Sequence, residues 1–358
     1  MIKENFVDKK IFLRVDFNIP LDSLDTLRIE KTVETVNFLL KNSKYLCIGT
    51  HLGRPLEGDH TTLSINKILP TIKNYFKEIK LVKPEKIGKN KFEILENLRF
   101  YNLEKEYFEK NFDVIVFDAF SVSHRKCNEL DSNLPIFKGF SIEKEMKLAN
   151  EVKNCDLIII GGAKIDKLKI LPNLISNQKN NISKKVMVLG KLAKKLIIDK
   201  KNISGKNSPK GNNFLGENCS NYILPADFLC LDNTTNKNYT VLSNLITESD
   251  KTVDIGPLTI KLLDKVIEDS NSIFFNGPPG IFEFEYNEGT KKILELLKNK
   301  ELKGCKVYIG GGDTNAAVKK LGYSFKNQST GGGALMECLS GEELIAIEQI
   351  RKKKENSK

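Results

Sequence analysis

Leu157-Ile158-Ile159-Ile160-Gly161-Gly162-Ala163-Lys164 decides how the chain is to be read. Four consecutive β-branched or branched apolar residues suit a strand buried on both faces, as in a parallel sheet. The glycine pair that follows ends the strand in a tight turn and leaves a lysine just beyond it. The same plan recurs on both sides of this stretch. Towards the N-terminus, Ile11–Val15 ends in Asp16-Phe17-Asn18, and Tyr45–Gly49 ends in His51-Leu52-Gly53-Arg54. Phe92–Leu95 leads to Asn97-Leu98-Arg99, and Val114–Phe117 leads to Asp118-Ala119-Phe120. Towards the C-terminus, Lys185–Leu189 ends in Gly190, and Ile273–Phe275 ends in Asn276-Gly277-Pro278. Val307–Ile309 ends in Gly310-Gly311-Gly312-Asp313.

Strands alternating with helical stretches predict an α/β fold of doubly wound parallel sheets, in which ligands bind beyond the carboxyl ends of the strands. Every motif just quoted sits at such an end. A chain of 358 residues is long for one core and suits two Rossmann-like domains. The pattern places an N-terminal domain at residues 1–140 and a hinge helix at 141–154, opened by Ser141-Ile142-Glu143-Lys144-Glu145. A second domain follows at 155–330, and a closing segment at 331–358. Lys200–Asn221, rich in Asn, Gly, Ser and Lys, reads as a loop. The basic tail Lys352–Lys358 is expected to fray.

Composition narrows the function. Apolar residues make up 40% and charged residues 29%, which suits a soluble globular protein. Met1–Lys10 has no apolar run of the kind a signal peptide needs, and no apolar run approaches the length of a membrane span, so a cytoplasmic protein is expected. The seven cysteines are odd in number and none are paired at C-x-x-C spacing, which argues for reduced thiols. The net charge of +11 is spread along the chain, so nucleic-acid binding ranks last among the readings.

Of 57 basic residues only six are arginine. A chain that meets its general need for positive charge with lysine keeps arginine for places that need a planar, two-point donor to carboxylate or phosphate. Arg28, Arg54, Arg99 and Arg125 each follow a strand-like segment, which predicts one anion pocket built from four connections. Asp16, Asn18 and His51 join them as candidates for holding a hydroxyl and an acid group. The second half instead offers glycine turns at Gly161-Gly162, Asn276-Gly277, Gly310-Gly311-Gly312-Asp313-Thr314 and Ser329-Thr330-Gly331-Gly332-Gly333. Such turns let backbone N–H groups approach phosphates, and a helix opening on one adds its positive end. Asp313 is the candidate Mg²⁺ ligand. No Walker A sequence occurs.

These segments resemble the signatures of phosphoglycerate kinase, and they run in that family's order: Arg14–Pro20, His51–Pro55, Glu96–Phe100, Asp118–Phe120 with His124-Arg125, and Gly161–Lys164. Leu224–Asp227, Asp254–Pro257, Asn276–Glu283, Gly310–Thr314 and Ser329–Ala334 complete the series. The resemblance implies a monomeric two-domain enzyme moving a phosphoryl group between ATP and the carboxylate of 3-phosphoglycerate, with Mg²⁺ and with domain closure. It implies that Asp16, Asn18, His51, Arg54, Arg99 and Arg125 bind 3-phosphoglycerate, and that Arg28 meets the reacting carboxylate. Lys164, Gly332 and Gly333 would face the transferred group. Gly161, Gly162, Asn276, Gly311, Gly312, Asp313 and Thr314 would surround the nucleotide phosphates, and Glu283 the ribose. The second lysine is Lys167 or Lys169. Where the family has a glycine triplet, this chain has Leu189-Gly190-Lys191, whose bulk is expected to crowd the adenine side or to force a different backbone path; Leu258 replaces a common lysine. That departure supports an alternative, a relative that binds the acid but transfers poorly.

Overall fold

The computed structural model describes residues 6–19, 21, 26–176, 184–204, 222–281 and 284–356. The chain forms two compact units, Met1–Lys147 joined by Glu343–Lys358, and Leu148–Glu342.

In the first unit six strands form one sheet: β1 (Phe6–Val15), β2 (Ser43–Gly49), β3 (Lys80–Val82), β4 (Phe92–Leu95), β5 (Val114–Asp118) and β6 (Ile136–Lys138). Their order is β3-β4-β2-β1-β5-β6, with every pairing parallel. The central strand β1 has Leu13 opposite Ile48 on one side and Val116 on the other. These residues are fully buried, as the apolar runs require for a sheet covered on both faces. From β1 the chain moves outward to β2 on one side, and it later returns to place β5 on the other. The carboxyl ends of β1 and β5 therefore form a switch point, where an open α/β sheet has its natural crevice.

The second unit repeats the arrangement with β7 (Leu157–Ile160), β8 (Lys185–Val188), β9 (Tyr222–Ile223), β13 (Ser272–Asn276), β14 (Lys306–Gly310) and β15 (Asn327–Ser329). The order β15-β14-β13-β7-β8-β9 is again all parallel, with its switch point between β7 and β13. A three-stranded antiparallel sheet of β10 (Asp227–Leu231), β11 (Asn238–Leu242) and β12 (Thr252–Ile255) is inserted before β13. The sequence reading did not anticipate it. β11 is mostly exposed and lacks the apolar run that marked the other strands.

Three local features depart from the sequence reading. Lys200–Ser204 continues the helix Gly190–Ser204, and the rest of the expected loop, 205–221, lies outside the described residues. Residues 352–356 of the basic tail continue the helix Ile345–Asn356, in which Lys352 pairs with Glu348 at 2.6 Å and Lys353 donates to the Ser132 carbonyl, and residues 357–358 lie outside the described residues. The segment grouped with the first unit begins at Glu343, and helix Gly332–Ser340 belongs to the second, where Leu335 and Leu339 are buried. The expected helix at 141–154 is Phe140–Val152. Its N-terminus is capped from a distance, because Asp118 Oδ1 accepts the Ile142 N–H at 2.9 Å. Burial, against hydrogen bonds from Thr35, Ile142 and Ser141, pushes the Asp118 carboxyl up to about 7.

Candidate active site

In the first unit the switch point is occupied by Asp16, the first residue after β1. It is nearly buried, and its Oδ2 holds both Arg28 from the short helix Leu27–Glu30 and the Ser121 hydroxyl from the turn after β5. Its Oδ1 accepts the Asn18 N–H at 2.9 Å and stands 3.9 Å from His51 Nδ1. Asn18 Oδ1 in turn accepts the Gly53 N–H at 2.7 Å, which ties the end of β1 to the turn after β2.

A cavity of about 240 Å³ opens beside this cluster, and His51, Arg99 and Arg125 line it. Arg99 also borders an open depression with Arg54. Arg54, Arg99 and Arg125 are exposed, so they meet an incoming anion without first breaking buried pairs. The concentration of positive charge can be read from its effects. Burial, followed by the charges of Arg14, Arg99, Arg28 and Arg125, drives the His51 imidazole down to about 2, so this histidine is neutral and serves as a hydrogen-bonding group. Arg99 is lowered by burial and then by Arg125, Arg14 and Arg54. Such mutual repulsion is relieved when a phosphate enters, so the field favours a dianion.

Asn97, which sequence reasoning passed over, sets this geometry. It is fully buried, donates to the carbonyls of Leu52 and Leu63 at 2.8 Å, and accepts from the N–H groups of Leu52 at 3.2 Å and Arg99 at 3.1 Å. One amide thus fixes the His51–Arg54 turn against the Arg99 turn. Ser121 was also missed. Asn97 lies inside a motif already quoted and Ser121 directly follows one, but the partners Leu52, Leu63 and Asp16 are tens of residues away and leave no local pattern.

In the second unit the glycine turns meet at the β7/β13 switch point. Gly277 has φ +100°, and a Cβ there would stand 2.2 Å from the Gly161 carbonyl oxygen; a Cβ on Gly161 would stand 2.3 Å from that of Gly277. Only glycine at both positions allows the two turns to touch. Lys167 reaches into this junction, donating to Asn276 Oδ1 at 2.6 Å and to the Gly161 carbonyl at 3.1 Å, and burial lowers its ammonium to about 8. Lys169 is exposed. Asn276 Nδ2 donates to the Gly310 carbonyl at 2.8 Å, and Thr314 Oγ1 accepts the Gly277 N–H at 2.8 Å. Two helices open beside them, at Gly312 and at Gly332, and the Gly312, Asp313 and Gly333 positions are exposed. Lys164 and Asp313 form an exposed pair at 3.3 Å. Exposed positions at two helix starts, with a lysine, suit a phosphate chain.

The Leu189 side chain lies in the core and not at the surface of its turn. It is fully buried in the core cluster with Ile159, Met187 and Phe275, and Lys191 is exposed. The bulk points into the sheet packing, and Gly190, at φ +64°, makes the close turn instead. Leu258 is exposed at the start of the helix Pro257–Glu268, and its N–H donates to Asp227 Oδ2 at 3.0 Å. Glu283 lies outside the described residues.

Asp313 also suits a Mg²⁺ that comes with a nucleotide. No cluster of three or more His, Cys, Asp or Glu able to hold a metal occurs among the described residues, and one exposed carboxylate in a helix first turn suits an ion ligated mostly by phosphates and water.

Two parallel α/β units, one carrying an arginine-lined pocket and the other glycine turns at its switch point, suit a small-molecule phosphotransferase. The phosphoglycerate kinase profile matches residues 2–342, and the chain belongs to the phosphoglycerate kinase family. It is 33% identical to the phosphoglycerate kinase of Borreliella afzelii over 393 residues, spanning 97% of this chain and 98% of that one. It is 30% identical to the enzyme of Tropheryma whipplei strain Twist, spanning 96% and 97%. The crystal structure of phosphoglycerate kinase from Pyrococcus horikoshii superposes with a TM-score of 0.80 at 23% identity, covering 98% of both chains. The structure of phosphoglycerate kinase from Coxiella burnetii gives 0.74 at 23% identity, covering 99% of this chain and 98% of that one. The protein is accordingly a kinase of this family.

Proposed function

We propose that this kinase transfers a phosphoryl group reversibly between ATP and the carboxylate of 3-phosphoglycerate, with the acid on the first unit and the nucleotide on the second. What carries the reading is the gathering of Asp16, Asn18, His51, Arg28, Arg54, Arg99 and Arg125 at the carboxyl edge of one sheet. Arg54, Arg99 and Arg125 bind the phosphate of the acid, and Asp16 and Asn18 orient its hydroxyl. Arg28, held on Asp16, is placed to take up the reacting carboxylate when the substrate replaces part of that pairing.

A carboxylate is already ionised at neutral pH, so the acceptor needs no general base. Catalysis is then positioning and charge stabilisation. Lys164 and the N–H groups at Gly332 and Gly333 stabilise the charge on the moving group, and Lys167 with Asn276 anchors the phosphate chain. Asp313 holds Mg²⁺, which when bound offsets nucleotide phosphate charge. Because the two substrates belong to different units, transfer follows their closure, which also keeps water from the acyl phosphate. A monomer working in the cytoplasm suits these substrates. Among the described residues no helix is long and apolar enough to cross a membrane.

The test is a coupled assay with ATP, Mg²⁺ and 3-phosphoglycerate, run beside Arg28→Ala. Turnover by the parent and a fall of roughly a hundredfold or more in the variant are expected. A folded parent that binds 3-phosphoglycerate but never turns it over would overturn the reading.

A further inference from the structure

Arg14 is the one arginine of the first strand motif to which the proposed roles give no task. Its side chain is nearly buried, and Nη1 donates to the carbonyls of Gly49 at 3.3 Å and Val15 at 3.4 Å. Its Nε stands 2.9 Å from Glu129 Oε1, in an ion pair whose side chains are 8% and 7% exposed. Glu129 comes from the turn Asn128–Asp131 beyond β5. Both residues line the 240 Å³ cavity that His51, Arg99 and Arg125 also line, and Glu129 is the one carboxylate among the described residues around it. The neighbouring Cys127 thiol is pushed up to about 12, chiefly by burial and next by Glu129, so it adds no second negative charge.

A carboxylate in the wall of an anion pocket repels the ligand that the pocket serves. Arg14 does not need it for anchorage, since two strand-end carbonyls already hold its Nη1. Burying the pair also has a desolvation cost that an apolar pair would avoid. A selective effect accounts for both costs.

We propose that Glu129 is a specificity-determining residue of the acid site: it engages Arg14 and keeps the cavity from taking a second small anion, such as free phosphate, beside or instead of the singly phosphorylated acid. The proposal rests on reading this cavity as an anion site. With the carboxylate gone, Arg14 would stay fixed by the strand ends and turn its freed Nε edge to the cavity, adding a phosphate subsite.

Calorimetric titration of the parent, Glu129→Gln and Glu129→Asp with inorganic phosphate tests this without reference to turnover. Glu129→Gln is expected to bind phosphate about tenfold more tightly than the parent, the scale of one unit charge in a partly solvated site. Glu129→Asp, whose shorter side chain loosens its hold on Arg14, falls between the two, so either variant alone suffices if the other fails to fold. The phosphate inhibition constant against 3-phosphoglycerate should fall in the same order. A merely structural Glu129 would lower the unfolding midpoint and leave phosphate affinity unchanged or weaker, and that result in a folded variant overturns the proposal. If neither parent nor variants bind phosphate at millimolar concentration, the anion-site reading fails, and this proposal fails with it.

Discussion

Replacing Asn97 with alanine tests how far the acid site depends on one buried amide. The change removes the donor to the Leu52 and Leu63 carbonyls and the acceptor for the Leu52 and Arg99 N–H groups. Leu52 is 1% exposed, so water does not readily replace the lost partners there. Each buried group left unpaired costs about 1–3 kcal/mol, and with some relaxation at the more open Arg99 end a total of about 3–5 kcal/mol is expected. The chain has no tryptophan, so far-UV circular dichroism in urea is the suitable probe. With a slope of about 2 kcal/mol/M, the midpoint of the first unit should fall by roughly 2 M. Under native conditions the freed Arg99 turn should raise the KM for 3-phosphoglycerate roughly tenfold, the equivalent of about 1.4 kcal/mol. The KM for ATP should not move, because the partners of the Asn97 side chain, Leu52, Leu63 and Arg99, belong to the first unit. Asn97→Asp, which keeps the acceptor and loses the donor, should fall between parent and alanine in both measurements. A variant within about 1 kcal/mol of the parent, or equal rises in both KM values, would refute the argument.

Other outcomes follow from the second unit. Leu189→Ala removes a fully buried side chain from the core and should cost about 2–4 kcal/mol while leaving the KM for ATP within about twofold; a marked gain in ATP affinity on truncation would show that the leucine does obstruct the nucleotide. Asp254 is pushed up to about 7 by burial, despite hydrogen bonds from Gly289 and Ile255. A carboxyl whose folded value lies above its unfolded one binds more protons when folded. Stability is therefore lost as pH rises from about 4 to 7, by at most about 1.4 kcal/mol per unit. Asp254→Asn should flatten that slope in urea midpoints measured across the interval, and an unchanged slope would exclude Asp254 as its source.

Strand ends were the legible part of this sequence. A parallel sheet buried on both faces writes its strands as apolar runs, and Leu157–Ile160 and Phe92–Leu95 appear with the bounds the runs predict. Ligands of such sheets bind at carboxyl ends, so Asp16, His51 and Arg99 could be picked out as candidates with no contact known. The scarcity of arginine did the same for the pocket as a whole. What stayed hidden depends on distance or direction. β11 alternates weakly and is exposed, so it carries no core signal. The Asn97–Leu52, Ser121–Asp16 and Glu129–Arg14 partnerships join residues 45, 105 and 115 positions apart, and no local spacing encodes them. Leu189 misled for another reason. Its place in a motif suggested a side chain in the site, but the pleat turns it into the core.

The contact between the Gly161 and Gly277 turns bears on how this protein can change over generations. Each turn forms the wall against which the other is shaped, so a first substitution at either meets a carbonyl oxygen and a second cannot repair it by shrinking a side chain that does not exist. The junction is closed to stepwise drift. Variation in what the second unit accepts has to enter through the periphery, at exposed positions such as Lys191 and Leu258. A library aimed at a different nucleotide should therefore leave the turns fixed and diversify that rim.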